Sequence, residues 1–167
     1  MLFGFIARWS AGSVDDGSVD GPATNVRAMA GEIAPLAEIE HGVPVEMNPG
    51  PEVTLPVTAE LLWRVLANMV DNAARAAGPA GRVEMTVLDR PNATVIEVTD
   101  NGPGFGDIGE GNSPLGDRES LGLSVITSLL HSVGGHFEIS EGSSGGTTVR
   151  AVFRPETGSG TGERQGG

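Results

Sequence analysis

Between residues 82 and 99 the chain alternates apolar and polar side chains with a period of two, interrupted once by Arg90-Pro91-Asn92, and a stretch with helical spacing lies just before it. The alternation predicts strands over 82–88 and 94–99 joined as an antiparallel hairpin. In the preceding stretch, Leu61, Leu62, Val65, Leu66, Met69, Val70 and Ala73 share one broad helical face. Thr58 can cap that helix and Gly78-Pro79 stops it after Ala77. A hairpin with one apolar side and a helix with a wide apolar stripe must cover each other, which confines the chain to helices laid on a sheet.

The remaining segments extend this plan. Residues 24–40 space Val26, Met29, Ile33, Leu36 and Ile39 three or four apart, which predicts a helix that Pro35 kinks or splits and His41-Gly42 ends. Residues 43–47 and 53–57 read as two short strands around the turn Asn48-Pro49-Gly50-Pro51. Residues 100–120 form a long loop of Gly, Pro, Asp and Asn, of a length that is often functional. A helix over 121–132 ends at Gly134-Gly135, and strands over 136–140 and 147–153 follow, joined by a Gly- and Ser-rich turn. The expected class is α+β, a two-layer sandwich. Its mixed sheet has about five or more strands and is covered on one face by three helices.

With 167 residues the chain suits one domain, placed at 24–154. Residues 1–23 are read as an apolar stub and flexible linker, and 155–167 as a disordered tail. The stub, residues 1–9, is too short to span a bilayer and is either an element that packs on the domain or the remnant of a longer parent. A net charge of −12 argues against general nucleic-acid binding and against adhesion to anionic membranes. The absence of cysteine excludes a disulfide framework, a zinc–thiolate site and a thiol nucleophile, and fits a cytoplasmic protein.

Four constellations could carry chemistry. On the middle helix, Asn68, Asn72 and Arg75 fall within about 60° of one another at the edge of the apolar face. Amide oxygens suit a hard cation and a guanidinium suits phosphate oxygens, although a polar surface stripe would look the same. Asp100-Asn101-Gly102-Pro103-Gly104 follows a strand directly. It is either a carboxylate at a strand end with glycines that let a flat ring or phosphate approach, or an ordinary tight turn. Ser120-Leu121-Gly122-Leu123-Ser124 at a helix start offers free amides to an anion, or plain capping. Gly145-Gly146-Thr147-Thr148 opens the last strand and by itself marks only a hairpin turn.

Taken in order, the Asn-x-x-x-Asn-Ala helix, the strand ending in Asp-x-Gly-x-Gly, the glycine-rich lid, the Leu-Gly-Leu segment and the Gly-Thr-Thr strand resemble the GHKL group of ATP-binding proteins. The resemblance spans residues 24–154 and is greatest to the catalytic domain of sensor histidine kinases. It implies ATP and Mg2+ as cofactors, with Asn72 as metal ligand, Asn68 supporting the metal and phosphates, and Arg75 near the phosphates. These three would form the catalytic set. It also implies that Asp100 binds the adenine amino group, that Gly102, Gly104 and Phe105 line the base, and that residues 106–120 form the ATP lid. Leu121, Gly122 and Leu123 would close over the phosphates, and Thr147 would complete the adenine side through a bridging water.

Asn68 also implies a subclass, because relatives that activate water carry Glu there and an amide has no basic lone pair. The activity implied is Mg-dependent transfer of the ATP γ-phosphoryl group to a histidine. No acceptor motif is present: His41 precedes Gly42, His131 precedes Ser132 and His136 precedes Phe137. The acceptor is therefore expected on a separate dimerisation and phosphoacceptor domain, with a response regulator as a further partner and this chain a monomer in isolation. Ser120 replaces the family's usual glycine, and Phe105 is the lone aromatic of the lid. Two other readings stand beside this one: an ATP-dependent binding module that transfers no phosphate, and an anti-sigma-factor-like serine kinase.

Overall fold

The computed structural model describes residues 22–104, 117–143 and 145–154, with side chains described from Leu123 onward in the second stretch. The expectations for the stub, the tail, Phe105 and most of the lid lie outside these residues. The elements are β1 (Thr24–Asn25), α1 (Val26–His41), β2 (Val45–Met47), β3 (Thr54–Leu55), α2 (Ala59–Ala77), β4 (Val83–Arg90), β5 (Ala93–Asp100), α3 (Asp117–Ser132), β6 (His136–Glu141) and β7 (Thr147–Phe153). Five strands form one sheet in the order β2-β4-β5-β7-β6, in which β2 runs parallel to β4 and the other neighbours are antiparallel. The three helices cover one face, giving the two-layer α+β sandwich expected from the sequence.

The period of two decides which side chains the helices meet. Val83, Met85 and Val87 on β4, Ile96 and Val98 on β5, and Val149, Ala151 and Phe153 on β7 are buried and form the inner face. The opposite parity presents Glu84, Thr86, Glu97, Thr99 and Arg150 on the outer face, where Arg150 Nε donates to Glu97 Oε2 at 2.7 Å. Asp100 has the inner parity and pairs with Val83 across the hairpin, so its carboxyl group is carried into the apolar layer.

Several expectations need correction. Pro35 does not split α1, which runs as one helix from Val26 to His41. Pro35 and Gly31, the residue whose carbonyl loses its helical donor, both face solvent, so water can serve that carbonyl. The buried stripe of α1 is Val26, Met29, Ala30, Ile33, Ala34 and Ala37, and Ile39 is 83% exposed. The two short strands around Asn48-Pro49-Gly50-Pro51 do not pair with each other: β2 joins the main sheet beside β4, while β3 pairs with β1, which sequence spacing had merged into the helix. The last helix begins at Asp117, so Leu121-Gly122-Leu123 lies within α3 and its amides are not those of the helix start.

Both long helices that frame the middle of the molecule carry side-chain caps. Asn25 accepts from Ala28 N at 2.9 Å at the start of α1, and Thr58 accepts from Leu61 N at 3.2 Å at the start of α2. Gly42 closes α1 in the left-handed region at φ 66°.

Candidate functional site

The inward turn of Asp100 organises the site. The side chain is 4% exposed, and its Oδ1 accepts from Gly102 N at 2.9 Å and from Thr147 N at 3.3 Å. Burial raises its pKa above the usual aspartate value, and the backbone N–H groups of Gly102 and Thr147 oppose that rise. One carboxylate thus ties together the loop after β5 and the start of β7, with an oxygen to spare. Asn101 helps to hold the loop, since its Oδ1 accepts from Arg82 N at 2.7 Å.

The glycines mark close backbone approaches. A methyl group on Gly102 would strike the carbonyl oxygen of Ala76, so this loop lies directly against the last turn of α2. Gly104 has φ 69° and packs on Gly146, whose φ is 75° and whose α-carbon faces the backbone carbonyl of Asp100. Asn72 stands one helical turn before Ala76 on the same side of α2, so the amide is brought to the Asp100 loop through that contact. Its Nδ2 is buried and has no hydrogen-bond partner among the described residues. A buried amide without a partner is costly, and which end of the amide is nitrogen is a matter of assignment. The group is suited to a cation at its oxygen or to a phosphate at its nitrogen, and the donor set fits magnesium.

The other two residues of the middle helix are placed differently. Asn68 Nδ2 donates to the Arg64 carbonyl at 2.6 Å, and its side chain borders a groove between α1 and α2. Arg75 Nη2 donates to Asp71 Oδ2 at 3.0 Å, while His41 Nε2 lies 2.5 Å from Asp71 Oδ1. Asp71 was not picked out by sequence reasoning, although its spacing of four from Arg75 is the available signal. Gly146 was seen only as part of a turn, because its close approach to Asp100 is made across 45 intervening positions. Leu123 is buried in the core, and the surroundings of Leu121 and Gly122 are outside what the structure describes.

These contacts make Gly146→Ala a test of the site's framework. A β-carbon there needs a left-handed backbone and collides with the Asp100 carbonyl. The expected result is a loss of about 2 kcal/mol or more of folding stability, measured by urea denaturation. Unchanged stability would mean that β7 does not close on Asp100 in this way.

Comparison with known proteins adds to this geometry. Residues 58–157 match the model of the histidine kinase-, DNA gyrase B-, and HSP90-like ATPase family. A probable sensor histidine kinase HK of Mycobacterium tuberculosis (strain CDC 1551 / Oshkosh) is 27% identical over 150 residues, covering 80% of this chain and 39% of the relative. The sensor histidine kinase component HK1 of Mycobacterium tuberculosis (strain ATCC 25618 / H37Rv) is 28% identical over 122 residues, covering 67% of this chain and 71% of the relative. The chain therefore spans well under half the length of the first of these relatives. Among solved structures, the mycobacterial sensor histidine kinase MprB superposes with a TM-score of 0.65 at 19% identity, covering 79% of this chain and 97% of that one. The nucleotide-free catalytic domain of histidine kinase ThkA gives a TM-score of 0.66 at 18% identity, covering 81% and 97% respectively. At these identities the structures establish a shared fold.

Proposed function

This chain belongs to the histidine kinase-, DNA gyrase B-, and HSP90-like ATPase family, and from that premise we propose that it is the ATP-binding catalytic domain of a two-component sensor histidine kinase. The observation that carries the reading is the pairing of a buried, backbone-held carboxylate at Asp100 with an orphaned buried amide at Asn72, joined through the Gly102–Ala76 contact. Asp100 Oδ1 is occupied by two backbone donors, so Oδ2 is the oxygen that accepts from the exocyclic amine of adenine. Gly102 and Gly104 admit the flat base because neither carries a side chain. Asn72 would hold Mg2+ through its amide oxygen, and the ion would supply charge neutralisation at the phosphates.

Arg75 keeps further N–H donors beyond the one on Asp71, which suits it to phosphate oxygens. Asn68 supports this side of the site once its amide leaves the Arg64 carbonyl. None of these residues is a base, which is consistent with an imidazole acceptor that is itself the nucleophile. Catalysis in this reading comes from positioning and electrostatics. His41 is tied to Asp71, His136 Nε2 lies 2.9 Å from Glu138 on a strand, and His131 is exposed near the end of α3. The acceptor therefore belongs to a separate phosphoacceptor and dimerisation domain, in the cytoplasm, with a response regulator downstream. No helix among the described residues is long and apolar enough to cross a membrane.

The test mixes the chain with γ-labelled ATP, Mg2+ and a separate histidine-bearing helical hairpin domain. Acid-labile label on the hairpin is expected. Acid-stable label on serine would replace this reading with a serine kinase, and tight ATP binding without transfer to the hairpin would replace it with a binding module.

A further inference from the structure

Helices α1 and α2 run side by side in the same direction. At one end Thr24 Oγ1, just ahead of α1, donates to the Val57 carbonyl just ahead of α2 at 2.7 Å. At the other end His41 of α1 meets Asp71 of α2. Between them a groove of about 500 Å³ opens to solvent, lined on its floor by Ile33, Leu36, Ala37, Trp63 and Ala67. Its edges carry the carboxylates Glu40, Glu60 and Asp71 together with Arg64 and His41. From Glu60 to Asp71 the groove is roughly 16 Å long at 1.5 Å per helical residue.

One segment of the chain matches this shape and charge. In residues 1–9, Leu2, Phe5, Ile6 and Trp9 recur at i, i+3, i+4 and i+7, the spacing of anchors on a helix that enters a hydrophobic groove. Arg8 is the sole charged side chain of that segment, and the groove's lining carries three carboxylates, Glu40, Glu60 and Asp71, against one guanidinium, Arg64. Nine helical residues extend about 14 Å, close to the groove's length. Residues 10–21 can reach up to about 40 Å when extended, and they join the described chain beside Thr24, at the Glu60 end of the groove. The tether keeps the segment at roughly millimolar effective concentration, which favours it over a second copy.

We propose that residues 1–9 dock as a short amphipathic helix in the groove between α1 and α2, with the apolar side of Leu2, Phe5, Ile6 and Trp9 against Leu36 and Trp63. The inference does not require nucleotide binding, and Asn68 and Asp71 line the groove at its end toward the nucleotide site.

The absence of cysteine makes the test direct. A double variant Ile6→Cys/Leu36→Cys is oxidised at low micromolar concentration beside a control, Ile6→Cys/Glu138→Cys, whose second position is exposed on β6. An intrachain disulfide is expected to form at least about tenfold faster in the first pair, because proximity raises the effective thiol concentration, and urea should equalise the two. Ala67→Cys replaces Leu36→Cys if the latter fails to fold. Equal rates in both folded pairs, or disulfides that join two chains, overturn the proposal.

Discussion

Replacing Asn72 with alanine is expected to reduce Mg-dependent ATP affinity by about 100-fold or more while leaving the apo protein at least as stable as before. The two halves of this result come from one observation. The Asn72 Nδ2 is buried and has no hydrogen-bond partner among the described residues, so the folded protein gains no bond from it. An unsatisfied buried amide costs about 1–3 kcal/mol, and alanine is the better helix former at this position in α2. Removal should therefore raise the melting temperature of the apo chain by a few degrees or leave it unchanged. A hundredfold loss of affinity corresponds to about 2.7 kcal/mol, within reach of a lost ligand to a bound cation. Calorimetric titration with ATP in the presence and absence of Mg2+ gives the first quantity, and thermal unfolding with and without nucleotide gives the second. Wild-type protein should show ligand-dependent stabilisation that the variant lacks. Undiminished affinity in a folded variant would remove Asn72 from the site.

Asp100→Asn is expected to weaken ATP binding by about 10- to 100-fold and to shift the preference toward GTP. The Gly102 and Thr147 N–H groups hold Oδ1, and the substituted amide can keep both bonds with its own oxygen. Its nitrogen then replaces Oδ2 and presents a donor to the adenine amine, also a donor. A charge-assisted bond worth roughly 1.5–3 kcal/mol is lost, and a guanine carbonyl becomes the better match.

The same variant has a pH signature. Burial raises the folded-state pKa of Asp100 above its unfolded value, so the charged form is penalised on folding. The penalty is fully present above the raised pKa. It fades as pH falls through that value and is gone below the ordinary aspartate pKa. Asparagine carries no charge to bury, so the variant should be more stable than wild type near neutral pH, with the advantage shrinking as the solution is acidified. Denaturant midpoints across that range provide the measurement. A constant difference at every pH would mean that desolvation of Asp100 does not govern its energetics.

Both substitutions are expected to improve the empty fold while damaging ligand binding. An orphaned amide and a buried carboxylate are each unfavourable in isolation. Two such groups, placed within a few residues of the Gly102–Ala76 contact, form a site whose cost is offset when a ligand arrives.

Much of this was legible in the chain itself. Period-two alternation gave β4 and β5, and its parity extends through Ile96 and Val98 to put Asp100 on the inner face. The wide apolar stripe gave α2, and Thr58 and Gly78 gave its limits. These features are local, since they depend on which residues lie two, three or four positions apart. The site residues Asn72, Asp100, Gly102 and Thr147 could be picked out by motif order, but motif order says nothing of which atoms meet.

Tertiary structure decided the remainder. Sequence spacing drew Pro35 as a break in α1, whereas its outward orientation on the packed helix lets water satisfy the freed carbonyl. It drew residues 43–47 and 53–57 as two short strands without assigning their partners, and each found a strand distant in sequence: β2 beside β4, and β3 beside β1. It placed Asn68 with Asn72 on one helical stripe, and packing adds that Asn68 borders the groove beside α1 and donates to the Arg64 carbonyl. Local sequence therefore determined the elements, their faces and the residue types of the site, because hydrophobic period and capping act over a few residues. Strand partners, the burial of Asp100 between two backbone donors and the unpaired amide of Asn72 were settled only when distant segments packed, because burial and hydrogen-bond satisfaction depend on neighbours that local spacing does not specify.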